Sequence, residues 1–200
     1  MNSGGNTIMR RSIWLAASLL MLASCDRPDA PGGAPADTSA APPAAPPAAA
    51  AFAHDMTGDL SGYYMPMSEV RIGQWSFDHL FLGQGTDFEA WEGGDRSDTF
   101  GPVMLQFDDV TSPMVRNEIG EVHSVTARVL PTTYAVTDAR VRFAGRSPEL
   151  GEVVFDGRLD AGALATARRN LGDEGVVLTG TLTAGGETVR DVRLRWWMGD

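Results

Sequence analysis

Between Asp26 and Ala53 the chain carries 12 Ala and 7 Pro in 28 residues, with runs such as Ala41-Pro42-Pro43 and Pro46-Pro47. Proline removes backbone donors and presets extended φ, and alanine supplies too little apolar bulk for a core. The stretch reads as a semi-rigid, polyproline-rich arm whose reach is on the order of 85 Å at ~3.1 Å per residue. Folding is thereby confined to residues 55–200, enough for one core of ordinary size. Three segments are expected: 1–24, 25–54 and 55–200.

The first segment has the form of an export signal. Arg10 and Arg11 precede an apolar run, Ile13 to Ala23, interrupted only by Ser18. As a helix that run would span about 16 Å, well short of a ~30 Å hydrocarbon layer. It therefore suits a signal h-region and not a permanent membrane span. It ends in Leu22-Ala23-Ser24-Cys25, an aliphatic residue, two small residues and a cysteine. This resembles the lipobox of bacterial lipoproteins. The resemblance implies cleavage before Cys25, acylation of its thiol, and anchoring to a lipid bilayer by more than one chain. Asp26 resembles the enteric-type signal for staying in the inner membrane, so the expected location is that membrane, facing the periplasm. Residues 25–54 would then be a lipidated cysteine and its tether.

Composition narrows the chemistry of the folded part. Residues 55–200 hold 23 acids and 13 bases, a net charge of −10 before the histidines. Such a charge argues against a nucleic-acid partner, whose backbone demands many cations. Every one of the 16 basic residues is Arg, so a lysine Schiff base, a lysine general base and a P-loop lysine are all excluded. Cys25 is the only cysteine, which leaves the domain without an internal disulfide, a thiolate nucleophile or a Cys-ligated metal. No cofactor is implied.

Strand signals dominate from Ser61 onward. Tyr63, Val70, Ile72, Trp75, Phe77 and Phe81 lie within Ser61 to Leu82, broken at Pro66 and Gly73. Pro102 to Phe107, Val122 to Leu130 and Thr133 to Phe143 follow, with a turn expected at Pro131-Thr132. Val141 and Phe143 alternate with Arg140 and Arg142, the pattern of a half-buried strand. Glu152 to Leu159 and Val176 to Thr183 continue it. Ala184-Gly185-Gly186-Glu187 suggests a hairpin into Val189 to Trp197, where Val192, Leu194 and Trp196 oppose Asp191, Arg193 and Arg195.

Two short helices interrupt the strands. Thr86-Asp87-Phe88-Glu89 has capping-box spacing, with Phe88 and Trp91 on one face and Gly93-Gly94 as a stop. Asp160 can cap a second helix running to Leu171, with Leu164, Ala167 and Leu171 aligned and Gly172 as terminator. The expected fold is mainly β: a single antiparallel barrel or sandwich with two short helices. Leu178-Thr179-Gly180-Thr181-Leu182-Thr183, the glycine turn and Val189 to Trp196 resemble the closing hairpin of YceI-like periplasmic lipid-binding barrels. The resemblance covers about twenty residues. The His-Ser pair of that family's first strand is missing, and no binding residue carries over.

Candidate sites are few. Asp87, Glu89, Glu92, Asp95 and Asp98 cluster near Gly93-Gly94, a carboxylate set of the kind calcium takes. The alternating Asp/Asn loop is absent, and Asp87 and Glu89 suit a helix N-terminus, so a solvated loop is expected. His54 adjoins the arm and is expected to be disordered. His79 and His123 lie on strands, and no paired-His zinc spacing or G-x-S-x-G elbow occurs. Arg128, Arg140, Arg142, Arg193 and Arg195 are outward strand positions. If their strands adjoin, Arg140, Arg142, Arg193 and Arg195 make a stripe able to fork an anionic partner, an envelope protein, glycan or lipid. The competing expectation is cross-strand pairing with Glu121, Asp138 and Asp191. Trp196-Trp197 puts aromatics on both faces of the last strand. These features favour a periplasm-facing binding or envelope-assembly domain over the alternative, a periplasmic hydrolase with a site assembled only in the fold.

The lipobox yields the first test. Cys25→Ser should abolish incorporation of a fatty-acid probe and leave the precursor unprocessed or misrouted; labelling that persists would overturn the assignment.

Overall fold

The computed structural model describes residues 51–118 and 120–199. The expected signal peptide, Cys25, Asp26 and the arm up to residue 50 lie outside these residues. Thirteen strands and two helices follow in the order β1 (Phe52–Asp55), β2 (Gly62–Pro66), β3 (Arg71–Ile72), β4 (Trp75–Leu82), α1 (Gly85–Glu92), β5 (Val103–Asp109), β6 (Met114–Asn117), β7 (Gly120–His123), β8 (Thr126–Val129), β9 (Pro131–Thr137), β10 (Arg140–Ser147), β11 (Gly151–Leu159), α2 (Ala161–Arg169), β12 (Leu178–Ala184) and β13 (Glu187–Trp197).

Eleven strands form one sheet in the order β1-β9-β10-β11-β12-β13-β2-β4-β5-β8, with β3 added beside β4; β6 and β7 pair in a separate ribbon. The sheet curls into a half-barrel. Its inner face follows the alternation in the sequence: Val141 and Phe143 on β10, Val153, Phe155 and Leu159 on β11, Val192, Leu194 and Trp196 on β13 are all buried. Phe77 and Phe107 meet across β4 and β5 with ring centroids 5.4 Å apart. At roughly 1.5–3 kcal/mol per large apolar side chain, this inner face is the main source of stability in a domain without cross-links.

The helices cover the inner face. α1 buries Phe88 and Trp91, and α2 buries Leu164 and Ala167. The Asp160 carboxylate caps α2 by accepting from the Ala163 N–H at 2.9 Å. Arg168, near the end of α2, donates to the carbonyls of Asp59 at 2.9 Å and Ser61 at 3.2 Å and to the Asp59 carboxylate. That clamp fastens the chain entering β2 against the last strand, where Trp196 donates to the same Ser61 carbonyl at 3.0 Å.

The mainly β fold is as expected from the alternation, and several local expectations need correction. The sheet is not wholly antiparallel, because β1 runs parallel to β9 with Phe52 opposite Tyr134. His54 is therefore placed in a strand and not in a disordered arm; its Nδ1 lies 2.9 Å from Glu92 Oε1, and the Tyr134 hydroxyl donates to the same oxygen at 3.0 Å. Pro131 opens β9 instead of turning, a position where a strand tolerates proline. The turn falls after Thr137, at Asp138-Ala139. α1 starts earlier than Thr86: Gln84 is its cap, and its N–H donates to Asp87 Oδ2 at 2.8 Å. α2 stops at Arg169, so Leu171 is 67% exposed and not aligned with Leu164.

Two glycines explain how β11 and β12 pack. Gly157 lies opposite Gly180, and the Phe155 ring crosses both on the inner face. A Cβ on Gly180 would stand 2.7 Å from Phe155 Cζ and 2.8 Å from the Asp156 carbonyl oxygen. Backbone cannot yield as a side-chain tip can. Gly180→Val should therefore destabilise the domain by roughly 1–3 kcal/mol, the usual cost of overpacking, read as a lower midpoint in urea. An unchanged midpoint would show that Phe155 is not confined by this pair.

Candidate functional site

The outer face of the half-barrel carries the chemistry, and its residues line up by strand register. One row runs from Thr137 on β9 through Arg140 on β10, Arg158 on β11 and Thr179 on β12 to Arg193 on β13. β10 and β13 do not adjoin: β11 and β12 lie between them, so Arg140 and Arg193 sit roughly 14 Å apart at ~4.8 Å per strand. Arg140 and Arg142 are thus brought together, as are Arg193 and Arg195, but the two pairs are linked only through Arg158. The alternation of Phe155, Gly157 and Leu159 against Asp156 and Arg158 carried the signal for that arginine.

The pairing partners also differ from those expected. Arg140 forks onto Asp156, Nε to Oδ1 at 2.8 Å and Nη2 to Oδ2 at 2.6 Å, while Arg142 Nε lies 3.7 Å from the same carboxylate. The Arg140 hydrogen bonds, with the positive fields of Arg142 and Arg158, hold the Asp156 carboxyl below the usual carboxylate range. Asp138 is spent on Thr57, whose N–H donates at 2.9 Å and hydroxyl at 2.6 Å. Glu121 faces Arg116 at 3.8 Å on the β6–β7 ribbon. Arg128 donates weakly to the Thr99 carbonyl and to Gln106. Among the described residues the side chains of Arg158, Arg193 and Arg195 form no ion pair or hydrogen bond, although Arg158 acts on Asp156 through space. Asp191 lies beside Arg158, Thr179 and Thr181 in a shallow cavity of about 470 Å³.

On β13 the outward positions Arg193 and Arg195 are followed by Trp197, and there a second row begins. Trp197 faces Tyr63 on β2, Tyr63 faces Phe81 on β4, and Phe81 faces Met104 on β5. Ring centroids are 5.6 Å apart for Tyr63–Trp197, 5.2 Å for Tyr63–Phe81, and 5.8 Å for Phe81–Phe100. Trp197 and Phe100 are each 38% exposed. Aromatics at cross-strand positions usually face inward; here they lie on the outer face, where Tyr63 and Phe81 are half-buried. Only Trp197 of this row was legible beforehand, because both faces of Trp196-Trp197 had to be occupied.

A β-bulge places a third group beside the aromatic row. Pairing of β4 with β5 slips between Phe77 and His79, which turns both Asp78 and His79 toward the outside. Asp78 Oδ2 lies 2.7 Å from His79 Nδ1 and 3.4 Å from the Gln106 amide nitrogen. The His79 ring stands edge-on to Tyr63 at 5.0 Å. Burial, reinforced by the nearby Asp78 charge, pushes the Asp108 carboxyl up, with His123 and His79 opposing the rise.

The remaining candidates do not converge. Asp87 is used in the α1 cap and Glu92 by His54 and Tyr134. Among the described residues no group of three or more His, Asp or Glu side chains could hold a metal ion.

A folded-state pKa raised above its unfolded value adds stability that is complete below the unfolded value and lost as pH rises through the folded one. Ionised Asp108 is therefore a cost at neutral pH. Asp108→Asn should raise the melting temperature at pH 7, and its advantage should vanish as pH falls below the carboxylate range. A lower melting temperature at pH 7 would mean that the carboxylate is held by attraction instead.

Comparisons of the chain with protein families, with curated proteins and with solved structures found no match.

Proposed function

We propose that this chain is a lipid-anchored, periplasm-facing lipoprotein whose β-rich domain binds an anionic partner of the cell envelope. The observation that carries this reading is the set of unpaired arginines, Arg158, Arg193 and Arg195, on one outer face of a chain with net charge −10. Asp156 and Asp191 border Arg158, and Glu69, Asp78 and Asp108 border Arg195, but none closes an ion pair on them, which leaves these guanidiniums open to an anion supplied from outside. The anchor on Cys25 and the arm would hold that face within reach of the bilayer and the wall. Among the described residues no helix is long and apolar enough to cross a membrane, and anchoring rests on the lipobox.

The partner reading is tested with the mature chain from residue 25, carrying Cys25→Ser so that no acyl chain contributes. Exposed ion contacts are worth on the order of 1 kcal/mol or less each and weaken with salt. Arg158→Glu with Arg193→Glu should abolish low-salt cosedimentation with isolated cell-wall sacculi while leaving the melting temperature nearly unchanged. A sharp fall in melting temperature would assign the arginines to the fold, and failure of the parent chain to cosediment would remove the proposal.

The Asp78–His79 contact favours a second reading, a periplasmic hydrolase. A carboxylate on Nδ1 orients an imidazole for proton transfer at Nε2. Turnover in an ester, amide and glycoside panel that is lost in His79→Gln would support it, and no turnover would dismiss it.

A further inference from the structure

The arginine row and the aromatic row meet on one strand. Along β13 the outward side chains are Arg193, Arg195 and Trp197, at successive steps of ~6.8 Å. From Arg193 the arginine row extends across β12 and β11; from Trp197 the aromatic row extends the opposite way across β2 and β4. The two make one continuous band on the outside of the half-barrel. We propose that this band binds an acidic polysaccharide, with Trp197, Tyr63 and Phe81 stacking on sugar rings and Arg195, Arg193 and Arg158 receiving the polymer's carboxylates. This rests on the anionic-partner reading above and names the chemical class of that partner.

Sugar chemistry fits both halves of the band. A pyranose presents an apolar C–H face and a rim of hydroxyls, so it wants an aromatic ring under it and planar polar groups at its side. Tyr63 and Phe81 line a cleft of about 480 Å³ in which the Gln84 side chain stands next to the rings, while Asp87 and Arg168 there are held by the α1 cap and the clamp on Asp59 and Ser61. That volume lies within the ordinary range for ligand clefts. His79, oriented by Asp78, borders the same ring of Tyr63. A polymer of repeating units can also reach both rows, which one small anion cannot. The anionic bilayer surface is the weaker occupant: the rings lie packed on one another along the sheet instead of projecting as insertion between lipids would need.

The experiment uses the mature chain with Cys25→Ser and three probes: polygalacturonate, its methyl ester, and vesicles containing anionic phospholipid. The expected result is binding to polygalacturonate that falls with salt and weakens at least about tenfold on esterification. Trp197→Ala and Tyr63→Ala should each weaken it about tenfold with far-ultraviolet circular dichroism unchanged. Trp197→Phe, which keeps a stacking face, should recover most of that loss and guards against a purely structural effect. If Arg158→Glu with Arg193→Glu abolishes binding while the aromatic variants bind normally, the glycan inference is overturned and the anionic-partner reading survives. Equal binding of the ester, unaffected by the arginine reversals, would overturn both. Binding to vesicles without binding to polygalacturonate would overturn the glycan inference alone, and binding to none of the probes overturns it as well.

Discussion

A single large sheet has one apolar face to hide and must find something to hide it against. Here two helices of eight and nine residues are the only helical cover among the described residues. They bury four side chains between them, Phe88, Trp91, Leu164 and Ala167, against a sheet of eleven strands. The sheet therefore covers itself by curling, so that Phe77 and Phe107 on one part of it and Phe155 on another join one buried cluster. Curling in turn demands places where the inner face can tighten. The Gly157–Gly180 pair is one such place, where the absence of two Cβ atoms lets the Phe155 ring lie flat against the strands. With no cysteine in the folded part, nothing covalent relieves this dependence on packing.

What the curl leaves outside is a broad convex surface, and the charge on it is not evenly mixed. Asp156 is shared by Arg140 and Arg142 and lies within the field of Arg158, and Asp191 borders Arg158, so three guanidiniums meet two carboxylates there, with Arg193 in the same row. The local excess is positive although the domain is acidic. Such a surface has little to contribute to stability, since exposed pairs are screened and long side chains lose freedom when fixed. The proposed anionic partner would use that arrangement together with the aromatic row next to it. Exposed Trp197 and Phe100, with Tyr63 and Phe81 half-buried between them, forgo hydrophobic burial that the inner face would have repaid.

Two irregularities set which side chains reach this surface. The bulge at Phe77/His79 turns consecutive residues, Asp78 and His79, to the same side and so creates a carboxylate–imidazole contact that strict alternation forbids. On β13 the slip opposite Gly180 and Leu182 leaves Asp191 with φ of 57°, a conformation that few residues other than glycine tolerate. It resets the phase so that Val189 and Val192, three apart, both turn toward the core. Neither slip announces itself in the residues, because each depends on how a neighbouring strand pairs.

The sequence by itself determined the local geometry of this protein. Alternation of period two sorted Val141 and Phe143 from Arg140 and Arg142, and Val192, Leu194 and Trp196 from Arg193 and Arg195, because side-chain direction on a strand is a property of a few consecutive residues. Gly185-Gly186 marked the hairpin, with φ of 57° and 81°, and Asp160 marked a helix start for the same local reason. Only the tertiary structure decided what lies beside what. Strand order separated Arg140 from Arg193, gave Asp156 and not Asp138 or Glu121 to Arg140, drew Phe52–Asp55 into the sheet alongside β9, and set Trp197 beside Tyr63. These contacts join residues from sixteen to more than a hundred positions apart. They form because one continuous apolar face closed on itself, and no short stretch of sequence carries that closure.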